Sequence, residues 1–183
     1  MARRTLIFSL ALVGSALFAP VASAAGVDRL LAPESICPGQ TDTSRAIAAQ
    51  QRTLVCMHRF ARRRAGRAKI RSVKVLRASA RRKARDLRRC QDFSHTACGR
   101  DAFYWFERVG FTKGSWGAGE NLYLGSGELA APRAAMRGWL HSPIHRKVLL
   151  TSRYRKLGVS AVRGSYDGRQ DVEFWVAHFG YRS

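Results

Sequence analysis

Acidic residues are scarce in this chain. Twelve Asp and Glu face 33 Lys and Arg over 183 residues, giving a formal net charge of +21. Lysine is also rare, with 6 Lys against 27 Arg. A charge so far from zero predicts long-range attraction to anionic partners. Several catalytic fingerprints are missing. Without a P-loop or a dinucleotide-binding glycine pattern, nothing points to nucleotide chemistry. With no G-x-S-x-G string, a nucleophile elbow is excluded. His141 and His145 stand four residues apart, but no Glu follows the first and Pro143 interrupts the helix between them, which excludes a zinc-protease motif. No internal repeat or low-complexity linker breaks the chain. What remains is 46% hydrophobic and 10% aromatic, enough for the core of one domain at this length.

The N-terminus is different. Residues 2–4 read Ala-Arg-Arg, an apolar run fills 5–19, and Pro20 leads to Ala22-Ser23-Ala24. A charged start, an apolar stretch and an A-x-A site form a secretory signal peptide. The run is shorter than the roughly 20 residues of a membrane span. The expectation is cleavage after residue 24 and a secreted, extracellular mature chain, with no transmembrane segment and no access to intracellular nucleic acid. In an oxidising compartment, Cys37, Cys56, Cys90 and Cys98 form an even set that favours two disulfides. Three connectivities are possible; the two local pairings, Cys37–Cys56 and Cys90–Cys98, need the least coordination between distant segments. The C-x7-C spacing of the second pair fits no compact zinc knuckle.

Residues 25–42 read as an N-terminal tail pinned by a disulfide, followed by one domain over 43–183. Apolar Ile47, Leu54, Val55, Met57 and Phe60 predict a first helix from Thr43, capped by Thr43 or Ser44 and stopped near Gly66. Leu76, Ala80, Ala84 and Leu87 step by four, four and three, predicting a second helix over 76–89. A third is expected over 101–109, with Phe103, Tyr104, Trp105 and Phe106 too many rings for one buried side. A fourth starts at Pro132 and ends near His141, because Pro143 breaks it. Residues 157–162 and 172–179 read as strands around the turn-forming 164–168, and 121–124 is a third strand candidate. Val172, Phe174 and Val176 alternate with Trp175, Ala177 and Phe179, so the last strand is covered on both sides. The fold class is α+β, with a small antiparallel sheet between helices. His58 is expected as a surface or partly buried residue, and His178 as a packed one.

Four strings carry chemistry. They are Asp92-Phe93-Ser94-His95 with Cys98-Gly99-Arg100; Gly117-Ala118-Gly119-Glu120-Asn121-Leu122; Trp139-Leu140-His141-Ser142-Pro143-Ile144-His145-Arg146; and a final aromatic strand ending Phe179-Gly180. In this order they resemble the CAP superfamily of cysteine-rich secretory, antigen-five and pathogenesis-related proteins, especially its secreted bacterial members, over about residues 45–181. The resemblance implies an α-β-α sandwich and a cleft that in many members is lined by two His and two Glu, some of which bind a divalent metal. His95 matches the first His and Glu120 the first Glu. Ser142 stands at the second Glu, and the second His falls near Phe174, which cannot ligate. Ile144 and Val148 replace a usual Gly and Asn. The cleft set is thus His95, Glu120, Ser142 and His145. His95, Glu120 and His145 form either a candidate site for a divalent metal such as zinc or a hydrogen-bonded polar cluster.

The charge is localised. Residues 52–89 carry 13 Arg and 3 Lys against one acid, Asp86. This predicts either two solvated helix faces or a polyanion-binding surface, with Arg62, Arg63, Arg64, Arg81 and Arg82 as candidates and an anionic cell-envelope polymer or lipid as partner. Three functions follow: a secreted, non-enzymatic CAP-domain protein binding a ligand or an anionic envelope surface; a metal-assisted extracellular hydrolase; or a polyanion-binding module.

Overall fold

The last strand, β4 (Arg169–Arg182), is the organising element of the computed structural model, which describes residues 24–183. The segment read as an export signal lies outside the described residues apart from Ala24. β4 pairs antiparallel on one side with β2 (Trp116–Ser126) and on the other with β3 (Lys156–Tyr166). A two-residue strand, β1 (Arg71–Ser72), adds a parallel edge beside the start of β3, giving the order β1-β3-β4-β2. The β3–β4 turn is Asp167-Gly168, both at positive φ, as a tight hairpin turn with the sheet's twist requires.

Helices cover both faces, as the two-sided apolar pattern of β4 predicts. Val172, Phe174 and Val176 pack with Ala80, Ala84 and Leu87 of α3 (Lys74–Arg89). Trp175, Ala177 and Phe179 pack with Leu54, Met57 and Ala61 of α2 (Ile47–Arg64), and with Met136 and Trp139 of α5 (Pro132–His141). The molecule is an α-β-α sandwich. Burying each large side chain contributes on the order of 1.5–3 kcal/mol. Gly158 sets the spacing of the α3 layer: a Cβ there would lie 2.0 Å from the main-chain carbon of Leu76.

Several boundaries differ from expectation. Thr43 and Ser44 do not cap α2; Asp42 Oδ1 accepts from the Ser44 N–H and hydroxyl, folding that segment into a local turn, and α2 starts at Ile47. The third expected helix shrinks to α4 (Tyr104–Arg108), because the Asp101 carboxylate engages the Phe103 N–H in a turn. Ser142 is extended, as a residue before proline prefers, but Pro143 then occupies the first turn of a new helix, α6 (Pro143–Leu150).

Both disulfides have the local connectivity, Cys37–Cys56 and Cys90–Cys98. A short helix, α1 (Ala24–Asp28), leads into the N-terminal segment, whose Leu30, Ala32 and Cys37 join the core. Arg133 Nη1 donates to the Ala32 carbonyl, and Asp28 pairs with His141 at 2.9 Å.

Two polar residues of α2 are placed contrary to expectation. His58 is fully buried against Trp139 and Phe179, because it shares the inward stripe with Leu54 and Ala61. Burial drives its pKa down to about 4 despite the 2.7 Å contact with the Leu54 carbonyl. Arg62 does not belong to a solvent-facing polyanion set. It is fully buried, donating to the carbonyls of Leu149, Thr151 and Tyr154 at 2.8–3.0 Å and closing the C-terminal end of α6, where a cation suits the helix dipole.

Candidate functional site

The β2–β4 register places Glu120 directly across from His178. Their side chains emerge on the α3 face of the sheet, and His178 Nε2 meets Glu120 Oε2 at 2.7 Å. The other carboxylate oxygen, Oε1, meets His95 Nδ1 at 2.7 Å. His95 comes from the loop after α3, which the Cys90–Cys98 bridge ties back to the helix end. Cross-strand pairing fixes the first contact and the disulfide-held loop supplies the second.

α3 completes the cluster from above. Ser79 and Lys83, one helical turn apart, both face inward. The Ser79 hydroxyl is 2.8 Å from His178 Nδ1, and Lys83 Nζ donates to the His95 carbonyl at 2.6 Å while standing 4.0 Å from Glu120 Oε1. Phe106 of α4 stacks on the His178 ring at 4.2 Å. One proton assignment satisfies the network: His178 donates from Nε2 to the carboxylate and accepts at Nδ1 from Ser79. His95 is the outward member, its side chain 54% exposed, against 5% for Glu120 and 1% for His178.

Electrostatics follows the geometry. Burial works against ionisation of Glu120, but the hydrogen bonds from His178 and His95, helped by the Lys83 charge, hold its pKa at about 2. Burial lowers the Lys83 pKa, opposed by Glu120, Asp86 and Asp92. His145, half-buried on α6, has its pKa lowered by burial and then by the nearby charge of His95.

The structure brings His95 and Glu120 together. Phe174, the position expected for the second histidine, lies across from Leu124, whereas the residue across from Glu120 is His178, expected from the sequence as a packed residue. The His145 carbonyl accepts from Asn121 Nδ2, next to Glu120 on β2, at 3.0 Å. Ser142 sits at the α5–α6 junction, where its carbonyl accepts from the Arg146 N–H. Of the proposed metal set, His95 and Glu120 are in direct contact, and His145 lies close enough to His95 for its charge to be felt. Both Glu120 oxygens are engaged by imidazoles, and among the described residues no group of three or more His, Cys, Asp or Glu is placed to hold a metal ion. Ser79 and Lys83 were missed in the sequence; their signal is a polar pair four apart on a face otherwise filled by Leu76, Ala80 and Leu87.

Comparison with known proteins agrees with this architecture. The profile of the CAP family, described as the cysteine-rich secretory protein family, matches residues 57–179. An extracellular protein containing an SCP domain from Bacillus anthracis aligns with a TM-score of 0.61 at 21% identity, covering 83% of this chain and 44% of that one. An outer surface protein from Borrelia burgdorferi aligns with a TM-score of 0.63 at 19% identity, covering 76% and 97%. A cysteine-rich secretory protein from Staphylococcus aureus aligns with a TM-score of 0.56 at 16% identity, covering 74% and 39%. The chain thus spans less than half the length of the Bacillus and Staphylococcus proteins. No curated protein matches it in sequence. The profile match over most of the chain, with the His95–Glu120–His178 cluster inside it, makes this chain a member of the CAP, or cysteine-rich secretory protein, family.

Proposed function

We propose that this is a secreted CAP-domain protein that binds an anionic envelope surface and does not catalyse a reaction. The observation that carries the reading is the fate of Asp86, the one acid among the 16 Lys and Arg of residues 52–89. Asp86 is buried and bonded to Arg89, Arg100 and the Trp105 indole N–H, so its charge offsets Arg89 and Arg100 rather than Arg77, Arg81 and Arg85 on the outward side of α3. Among the described residues no helix is long and apolar enough to cross a membrane, which suits attachment by charge. The polar cluster supports the non-catalytic half. A general base works best with a pKa near the operating pH, whereas Glu120, at about 2, is a weak base with both oxygens already engaged.

Co-sedimentation of the purified exported protein with vesicles tests the reading. Binding to phosphatidylglycerol vesicles, released by salt, and no binding to phosphatidylcholine vesicles is the expected result. Equal binding to both would overturn it, as would a hydrolytic turnover abolished by His95→Ala.

A further inference from the structure

The open edge of β3 lies at the bottom of a basic trough. β1 covers β3 only at Lys156 and Leu157, with the Val73 N–H donating to the Leu157 carbonyl at 2.9 Å. Strand alternation turns the main-chain groups of Val159 and Ala161 to that same side, beyond the end of β1. The Arg163 carbonyl, next in the series, accepts from Arg88 Nη1 at 3.2 Å. A cavity of about 710 Å³ follows this edge between α2 and α3, floored by residues 159–163. A second, of about 510 Å³, continues it along α2 and shares Ala48, Gln51, Arg77 and Val159.

One wall is a row of like charge. Lys74, Arg77, Arg81, Arg85 and Arg88 of α3 all line the larger cavity; Arg163 lines it from β3 with its Nε on the buried Glu173 carboxylate at 3.2 Å, and no acidic residue lines the cavity itself. Steps of three and four put neighbouring cations about 5–6 Å apart along the helix, and the row spans roughly 21 Å at the helical rise. Like charges at these spacings destabilise a helix, and Asp86, the only acid of α3, is turned inward away from them. The trough has no aromatic lining on which bases could stack. Its Arg side chains present planar forks suited to phosphate.

We propose that this trough binds a linear, phosphate-linked polyanion, one extended chain laid along α3 over the β3 edge. The proposal rests on the anionic-surface reading and narrows it to one site and one ligand chemistry. It also separates residues that the sequence grouped together: Arg81 lies in the trough, whereas Arg82 leans over the Trp105 ring and Arg63 over Phe60.

The test compares three forms of the exported protein: the unchanged chain, the trough variant Arg77→Gln/Arg81→Gln/Arg85→Gln, and a charge-matched control, Arg63→Gln/Arg64→Gln/Arg67→Gln. All six positions are exposed, and circular dichroism checks that the variants fold. Binding of labelled inorganic polyphosphate is read by anisotropy against salt. At about 0.7 counterions released per single-strand contact, five contacts predict roughly a 100-fold loss of affinity for a fourfold rise in salt, and two contacts roughly sevenfold. The expected result is the steep dependence for the unchanged chain and the control, and the shallow one for the trough variant. Equal weakening of both variants would overturn the trough while leaving the anionic-surface reading intact. Polyphosphate ignored while phosphatidylglycerol vesicles are bound would do the same. Failure to bind either would remove both. Tighter binding of single-stranded DNA than of polyphosphate would overturn the assigned ligand class.

Discussion

Replacing Glu120 by Gln should remove a charge the fold depends on while keeping the side chain's volume. The folded carboxyl is held at about 2 against an ordinary 4.5. A tenfold change in proton affinity is roughly 1.4 kcal/mol, so the ionised group contributes on the order of 3 kcal/mol at neutral pH. The His95 part of that figure is reduced by solvent, because its ring is half exposed. The contribution is fully present above about pH 4.5, where the unfolded carboxyl is also ionised, and is lost as the pH falls toward 2. For a domain of this size, 3 kcal/mol is about 6–12 °C in Tm. Urea unfolding of both forms at pH 7 and pH 3 is the assay, with a gap near 3 kcal/mol at pH 7 shrinking to less than half at pH 3. A gap that does not change with pH would refute the electrostatic argument and leave packing as the cause.

Other consequences are equally direct. His58→Phe keeps the contact with Trp139 and Phe179 but removes a group with a pKa of about 4 folded and 6.5 ordinarily. The unchanged protein loses stability from pH 6.5 down to 4, as the unfolded histidine gains a proton that the folded one refuses; the variant's pH–stability curve should flatten in that window. Arg62→Met should cost roughly 3 kcal/mol or more in chemical denaturation, because the buried carbonyls of Leu149, Thr151 and Tyr154 lose their donor. Arg63→Met, on the exposed side, should stay within about 0.5 kcal/mol. Opening the Cys37–Cys56 bridge by a double Ser substitution should cost about 3 kcal/mol, and opening the shorter Cys90–Cys98 loop slightly less.

The layered fold was legible because β4 alternates large apolar groups on two faces, which only a sheet buried from both sides accommodates. Pro132 and Gly66 marked helix ends through their own backbone chemistry. β1 was not legible, since two residues carry no period and form a strand only because β3 begins beside them. The site was half visible. His95 and Glu120 lay in motif strings, but His178 was read as packing because its partner depends on register across β2 and β4, which no local pattern encodes. The row on α3 was hidden for the opposite reason. Arginine is so frequent between 52 and 89 that position along the helix, not residue type, separates the trough from the buried Arg62.

The docking of residues 25–42 constrains the order of folding. Asp28 meets His141, and the Ala32 carbonyl meets Arg133, across sequence separations of 113 and 101 residues. Contacts this distant carry a high loop-closure cost and form late. The earliest part of the domain in sequence therefore waits for α5 before it can settle. Until then the surface that Leu30 and Ala32 cover stays open, and the Cys37–Cys56 bridge, with the local bonds from Arg45 and Thr53 to the Pro38 carbonyl, holds the segment nearby. Deleting that bridge should slow refolding more than it speeds unfolding.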